Sequence, residues 1–149
     1  MTIESAIHQK TFRNEYNKAM VNLLFSHDWL EEKIKSFLVT EKITPQQYNI
    51  LRILRGSNKP LSTMQIRDRM LDRMSDTSRV VDRMLIKELV IKKTNTSDKR
   101  LVDITITEKG LRILEQLNGR NADLDNIMGS LSDDEAKMLN HLLDKLRND

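Results

Sequence analysis

One short stretch of this chain breaks a hydrophobic pattern that is helical almost everywhere else. Up to Leu89, apolar residues recur at three- and four-residue spacing, which is the repeat of an amphipathic α-helix. Immediately afterwards come two β-branched, partly alternating segments, 90–94 and 101–106, which are separated by a polar turn. Helical spacing then returns. The pattern predicts a mainly α-helical fold with a single small β-hairpin.

Composition agrees with a helical fold and excludes several classes of protein. The 149 residues include four Gly and two Pro, too few for the many tight turns of an all-β fold. There is no cysteine, which excludes disulfides, thiolate metal sites and iron–sulfur clusters. The mean hydropathy is −0.54, and no apolar run reaches the roughly 18 residues of a membrane-spanning helix. No signal-peptide pattern is present, so we expect a cytoplasmic protein.

Helix-start signals divide the chain into elements. The first helix is expected over residues 4–39, as one long helix or as two with a break near 26–28. Such a helix spans up to about 50 Å, which is too long for one small core, so part of it should pack on a second subunit. The N-cap residues expected for the later helices are Thr44, Ser62, Ser75, Thr107 and Ser132. A long helix starting at Thr107 could run through to Ile127.

The order of elements over residues 45–106 is helix, short helix, turn, helix, hairpin, which is the layout of a winged helix-turn-helix. The second helix of this motif must bury one face and offer the other to a DNA groove. Its expected inner face is Val80, Val81, Met84 and Leu85. Its first turn and outer face carry small polar groups and arginines that can read base edges and phosphates, namely Ser75, Asp76, Thr77, Ser78, Arg79, Asp82 and Arg83.

Basic charge is concentrated where DNA contact is expected. Residues 79–100 contain seven Lys/Arg and three Asp/Glu, a net of +4, whereas residues 111–149 contain five and eight, a net of −3. A basic patch indicates a polyanionic partner, and a solvated surface is the competing interpretation. Lys92 and Lys93 stay open to two roles, because lysine also protects the edge strand of a sheet from aggregation.

At these residues the sequence resembles the MarR family of bacterial transcription regulators. The matching residues are Pro60, Leu61, Ser62, Ile66, Met70, 75–84, Leu89, Val90, 98–100 and 104–110. The Asp98–Arg100 hairpin tip and the strand exit over 106–110 are the most recognisable pieces. The resemblance covers the whole chain and implies one MarR-type domain over 1–149. Within it, about 44–107 would form the winged helix-turn-helix, and about 4–39 and 108–149 a helical dimerisation region.

The resemblance also implies roles for individual residues. Ser75, Asp76, Thr77, Ser78, Arg79 and Arg83 fall on the recognition helix of the family. Arg100, beside Lys99, falls where the family inserts a wing arginine into the minor groove, and Asp98 falls where an acid orients that arginine. Asp76 departs from the pattern, because an acid suits the helix dipole but repels phosphate; a cytosine reader and a structural residue both remain open.

A homodimer and a small ligand complete what the resemblance implies. The first helix and the last two helices would interlock as the dimer base, which fits a leucine stripe of Leu139, Leu142, Leu143 and Leu146. The dimer would read a pseudo-palindromic double-stranded operator, with half-sites about one turn (~10 bp) apart. A small aromatic or lipophilic effector would sit between the dimer base and the winged region. Candidate lining residues are Tyr16, Trp29, Phe37 and Tyr48, although aromatics at helical spacing are more often core.

No set of catalytic residues emerges from the sequence. A glycine-rich phosphate loop, a nucleophile elbow and a zinc-type His–Glu spacing are all missing, and the three histidines are far apart, so we expect no cofactor and no metal. These observations predict a DNA-binding transcriptional regulator, a homodimeric repressor released by a small ligand, rather than an enzyme. The alternative is a winged-helix protein-interaction module without DNA binding, which the basic groups on both helix and hairpin disfavour.

Overall fold

The computed structural model describes residues 1–148, and within them lie eight α-helices and one two-stranded antiparallel sheet. The helices are α1 (Ile3–Ala6), α2 (Glu15–Leu38), α3 (Pro45–Ser57), α4 (Thr63–Arg69), α5 (Thr77–Ile86), α6 (Glu108–Asn118), α7 (Asn121–Asp125) and α8 (Asp133–Arg147). The strands β1 (Val90–Thr94) and β2 (Val102–Ile106) lie between α5 and α6. The predicted mainly helical fold with one hairpin is therefore confirmed. Across residues 1–148, no helix has both the length and the apolar character needed to cross a membrane.

Most helix starts follow the predicted caps. Thr44, Ser62 and Ser132 each form a capping box with a Gln or Glu three residues later, and the Thr107 hydroxyl accepts a hydrogen bond from the Gly110 N–H. The prediction of Ser75 as a cap is wrong. Asp76 caps α5 instead, accepting from the Arg79 N–H, because the Ser75 hydroxyl donates to the Asp72 carbonyl at 2.9 Å.

The first helix breaks at a different place from the one expected. α2 runs without interruption through residues 26–28, and the break lies between α1 and α2, where His8 adopts a φ of 55° and Asn14 caps α2. Lys18 pairs with Glu4 at 2.6 Å across this break, and its hydrogen bond lowers the pKa of Glu4 to about 2. A long helix through residue 127 does not form either, since α6 ends at Asn118 and the short α7 follows.

The buried core ties the hairpin to the helices. The fully buried side chains include Leu38, Ile50, Leu51, Leu61, Ile66, Met84, Leu89, Ile104 and Leu114. β1 pairs with β2 in a register that sets Val90 opposite Ile106. Leu61, just before α4, exchanges backbone hydrogen bonds of 3.1 and 2.8 Å with Ile104. The base of the hairpin is therefore fixed to the helix-turn-helix by a third extended segment.

A close approach between α6 and the turn that joins α5 to β1 explains the strand-exit pattern. The Thr107 N–H donates to the Leu89 carbonyl at 3.1 Å, and the Thr107 hydroxyl donates to the Glu88 carbonyl at 2.7 Å. A Cβ on Gly110 would lie 2.6 Å from the Leu89 carbonyl oxygen and 2.8 Å from Cγ1 of Ile106. Only glycine at this position lets α6 pack so closely on the preceding backbone.

Replacing Gly110 with alanine should therefore destabilise the fold. We expect Gly110→Ala to lower the free energy of unfolding by about 1–3 kcal/mol, the usual cost of overpacking. Gly56→Ala is the matched control, because a Cβ there meets nothing within 4 Å; it should stabilise α3 by up to about 1 kcal/mol. Urea denaturation followed by circular dichroism measures both. Equal stability of the two variants would contradict the close approach.

Candidate DNA-binding interface

Helix α5 buries one face and exposes the other. Val81 and Met84 are fully buried, and Val80 and Leu85 pack partly buried against the core, which confirms the predicted inner face. Ser78, Arg79, Asp82 and Arg83 are exposed on the opposite side. The exposed face thus offers a hydroxyl, two guanidinium groups and one carboxylate to solvent.

The three polar residues at the start of α5 have three different environments. Asp76 caps the helix and also pairs with Arg79, at 3.2 Å between Oδ2 and Nε, which gives it a structural role. Thr77 was expected on the outer face, but it is 3% exposed and shares the inner face with Val81, four residues on. Ser75 is half-buried, with its hydroxyl on the Asp72 carbonyl.

At the hairpin tip, a carboxylate holds an exposed arginine. Asp98 accepts two parallel hydrogen bonds from the Arg100 guanidinium, from Nε and Nη2, both at 3.1 Å. The Arg100 side chain nevertheless remains 89% exposed. The guanidinium and, second, the Arg100 backbone N–H lower the pKa of the Asp98 carboxyl below its ordinary value. Lys99 is exposed between them.

An ion pair joins the hairpin to the exposed face of α5. Lys92 Nζ on β1 lies 3.4 Å from Asp82 Oδ1. Asp76 and Asp82 are therefore both paired with basic side chains, whereas Arg83 and Lys99 have no ion-pair partner within residues 1–148. The net result is a positively charged surface that runs from α5 to the hairpin tip.

A cleft of about 510 Å³ lies between α2, α3 and the segment that joins α4 to α5. Its volume is within the usual range for sites that bind small molecules. The lining residues are His27, Leu30, Glu31, Ile34, Pro45, Gln46, Asn49, Met70, Leu71, Asp72 and Arg73. Apolar side chains from both sides, Leu30 and Ile34 of α2 and Met70 and Leu71 beyond α4, make most of this lining, and Asp72 and Arg73 add charge beside the start of the recognition helix.

The four aromatic residues proposed to line a ligand site are not brought together in this cleft. Tyr16 is 84% and Trp29 41% exposed on α2, and the Lys33 ammonium lies 6.0 Å from the Trp29 ring. Phe37 is buried in the core beneath Arg120, and Tyr48 is half-buried beside the core. None of the four lines the cleft.

Sequence reasoning missed the residues that join the elements around this site. The Asn49 side-chain carbonyl accepts from the Leu71 N–H at 2.9 Å and so ties α3 to the end of α4. Lys87 Nζ, just after α5, donates to the Lys42 carbonyl at 2.6 Å and to Gln47 Oε1 at 3.2 Å. Thr44 was predicted as an N-cap, but no local sequence pattern places Lys87 beside the capping box that Thr44 forms with Gln47.

Comparison with known proteins identifies the family. Residues 42–101 match the sequence model of the MarR family. The HTH-type transcriptional regulator MhqR of Bacillus subtilis (strain 168) is 30% identical over 106 residues, which is 70% of this chain and 72% of MhqR. The HTH-type transcriptional repressor MdtR of the same strain is 30% identical over 105 residues, 70% of this chain and 67% of MdtR.

Solved structures share the fold. A mutant MarR from E. coli complexed with operator DNA superposes with a TM-score of 0.83 at 23% identity, covering 93% of this chain and 99% of that chain. The organohalide-sensing regulator RdhR in its 2,4-dichlorophenol-bound form gives a TM-score of 0.83 at 21% identity, over 94% and 86% of the two chains. With its winged helix-turn-helix and its similarity to two regulators over two thirds of their length, the chain belongs to the MarR family of DNA-binding transcriptional regulators.

Proposed function

We propose that this protein is a homodimeric repressor that binds a pseudo-palindromic operator and is released by a small aromatic or lipophilic ligand. The observation that carries the proposal is the Arg100 guanidinium, which is oriented by Asp98 and yet 89% exposed, at the tip of a hairpin beside a basic helix. Two similar proteins support the proposal: MdtR is named a transcriptional repressor, and the E. coli MarR mutant is complexed with operator DNA. Such a regulator would act on DNA in the bacterial cytoplasm.

Exposure and charge decide which residues we assign to the major groove, to the minor groove and to phosphate. Ser78, Arg79 and Arg83 on the outer face of α5 would contact base edges and phosphates in the major groove. Arg100 would enter the adjacent minor groove, where narrow A·T-rich DNA concentrates negative potential. Lys99 would contact phosphate. The N-cap hydrogen bond and the Arg79 pair favour a structural rather than a cytosine-reading role for Asp76.

Two uncovered apolar stripes support a homodimer. Tyr16, Met20 and Leu24 follow one another at four-residue spacing on α2 and are 84%, 61% and 65% exposed. None of the fifteen residues of α8 is buried. On α8 the most exposed apolar side chains are again four residues apart, Met138, Leu142 and Leu146. A second copy of this chain would cover both stripes, with residues about 4–39 and 108–149 as the dimerisation region and about 44–107 as the DNA-binding region.

The cleft beside α2 is the proposed ligand site. It joins apolar side chains of the proposed dimerisation region to Leu71, Asp72 and Arg73, which directly precede the recognition helix. A ligand there would favour one arrangement of these elements and so change DNA affinity, by its differential affinity for the two arrangements. RdhR, a structural relative, is seen with 2,4-dichlorophenol. The aromatic set of Tyr16, Trp29, Phe37 and Tyr48 stays a second prediction for the site.

Arg100→Ala should weaken operator binding by about 1–3 kcal/mol while leaving thermal stability nearly unchanged, because the side chain is exposed. The measurement is fluorescence anisotropy on a duplex that wild-type protein selects from a random pool. Arg112→Ala removes an exposed arginine on α6 that is not among the residues proposed to contact DNA, so it is the matched control and should bind like wild type. Wild-type affinity of Arg100→Ala would refute the proposed wing contact. Failure of wild-type protein to shift any duplex would instead favour the protein-interaction module.

Leu142→Asp should dissociate the dimer, because the dimer interface would bury an unpaired carboxylate at a cost of several kcal/mol. Leu142 is 53% exposed in the single chain, so the monomer should stay folded. Asn140→Asp adds the same charge on the opposite face of α8 and should remain dimeric. Analytical ultracentrifugation at micromolar concentration separates these outcomes, and a monomeric wild type would overturn the dimer.

Leu30→Trp should fill the cleft and abolish release from DNA by a small aromatic compound. The assay is operator release, with 2,4-dichlorophenol as the first compound of a panel of phenols. Trp29→Leu is the matched control, since Trp29 is the neighbouring residue on α2 but does not line the cleft. Loss of the response in Trp29→Leu, with a normal response in Leu30→Trp, would move the site to the aromatic set.

A further inference from the structure

The loop at the hairpin tip is ordered without glycine, proline or a positive φ angle. Residues 95–101 contain no glycine and no proline. Among residues 1–148, positive φ angles occur at His8, Lys42, Asn58 and Glu88, none of which is in this loop. Two backbone hydrogen bonds close it, from Asn95 N–H to the Leu101 carbonyl and from Leu101 N–H to the Asp98 carbonyl, both at 3.0 Å. Side chains must supply the rest of its order.

Asn95, the residue that follows β1, orders the loop through its side chain. Its side-chain oxygen Oδ1 accepts hydrogen bonds from the Ser97 N–H at 2.8 Å and from the Asp98 N–H at 2.9 Å. An asparagine side chain that bonds the backbone two and three residues ahead replaces the bonds that a strand would make. The half-buried Asn95 amide therefore fixes the first half of the loop.

Asp103 fixes the Asn95 amide in turn. Asp103 lies on β2, and both of its carboxylate oxygens accept from Asn95 Nδ2, at 3.1 and 3.0 Å. A carboxylate accepts hydrogen bonds and an amide NH₂ donates them, so Asp103 forces the Asn95 carbonyl to face the loop. Bonds to a charged acceptor are also the stronger ones. The orientation of Asn95 is thus set from across the hairpin.

These bonds lead directly to the arginine at the tip. Asn95 holds the Asp98 backbone, and the Asp98 carboxylate holds the Arg100 guanidinium. We infer that Asn95 and Asp103 are positioning residues for DNA binding, which hold the loop so that Arg100 is presented before DNA arrives. The inference rests on the proposed contact of Arg100 with DNA. Ordering the loop in advance removes conformational entropy that would otherwise be lost on binding.

Because of where Asn95 and Asp103 lie, a substitution can disturb the loop without lowering the stability of the whole fold. Asn95 and Asp103 are outside the hydrophobic core, which ends at Ile104 on this strand. Asn95→Ala should therefore leave the thermal midpoint almost unchanged. It should weaken binding to the selected duplex by about 3- to 10-fold, the usual cost of ordering one or two side chains at an interface.

An exchange of the two side chains tests the hydrogen-bond geometry at the net charge of the wild-type protein. Asn95→Asp keeps an oxygen that can accept from the loop, but its second oxygen would face the Asp103 carboxylate. Because the two carboxylates repel each other, this variant should bind DNA more weakly. The double variant Asn95→Asp with Asp103→Asn has the net charge of wild type and restores a donor opposite an acceptor. Anisotropy with the selected duplex should show binding recovered in the double variant. A double variant as weak as Asn95→Asp alone would overturn the positioning role.

A double-mutant cycle links the effect to Arg100. Arg100→Ala should cost less affinity in the Asn95→Ala background than in wild type, since a disordered loop no longer presents the arginine. Equal losses in both backgrounds would overturn the inference and leave the proposed wing contact intact. No loss for Arg100→Ala in wild type would overturn the wing contact and the inference together. A large fall in the thermal midpoint of Asn95→Ala would make the residue structural and would also overturn it.

Discussion

The arrangement of the whole DNA-binding surface depends on the junction where the recognition helix, the hairpin and α6 meet. Glu88 turns the chain there with a φ of 59°, and Thr107 bonds to the carbonyls of Glu88 and Leu89. Gly110 lets α6 pack against the same backbone. Lys87, one residue earlier, reaches across to the Lys42 carbonyl. Because one short segment carries all these bonds, the end of the recognition helix cannot move without the hairpin and α6.

The other end of α5 borders the proposed ligand site. The first turn of α5 is preceded by Asp72, whose carboxylate accepts from the Met74 N–H and whose carbonyl accepts from the Ser75 hydroxyl. Asp72 also lines the cleft beside α2. A ligand bound at the proposed site would touch the segment that begins the recognition helix, and this contact would couple DNA affinity to ligand affinity over a short distance.

The features that the sequence predicted correctly depend on interactions between residues that are close together along the chain. The N-caps at Thr44, Ser62 and Ser132 depend on residues three apart, and the hairpin depends on alternation on either side of a polar turn; the structure has all of them. Ser75 and Asp76 are both good caps, and the bond from Ser75 to the Asp72 carbonyl decides between them. The break near His8, the burial of Phe37 and the Asn95–Asp103 contact depend on tertiary packing or cross-strand register, which periodicity does not reveal.

In the proposed complex, each copy of this chain reads a major groove with α5 and the adjacent minor groove with the hairpin tip. Hydroxyl-radical footprinting on the selected duplex can detect both contacts. We expect a two-fold symmetric footprint, with minor-groove protection beside each half-site that disappears selectively in Arg100→Ala. A single asymmetric footprint, or flanking protection that survives removal of Arg100, would contradict it.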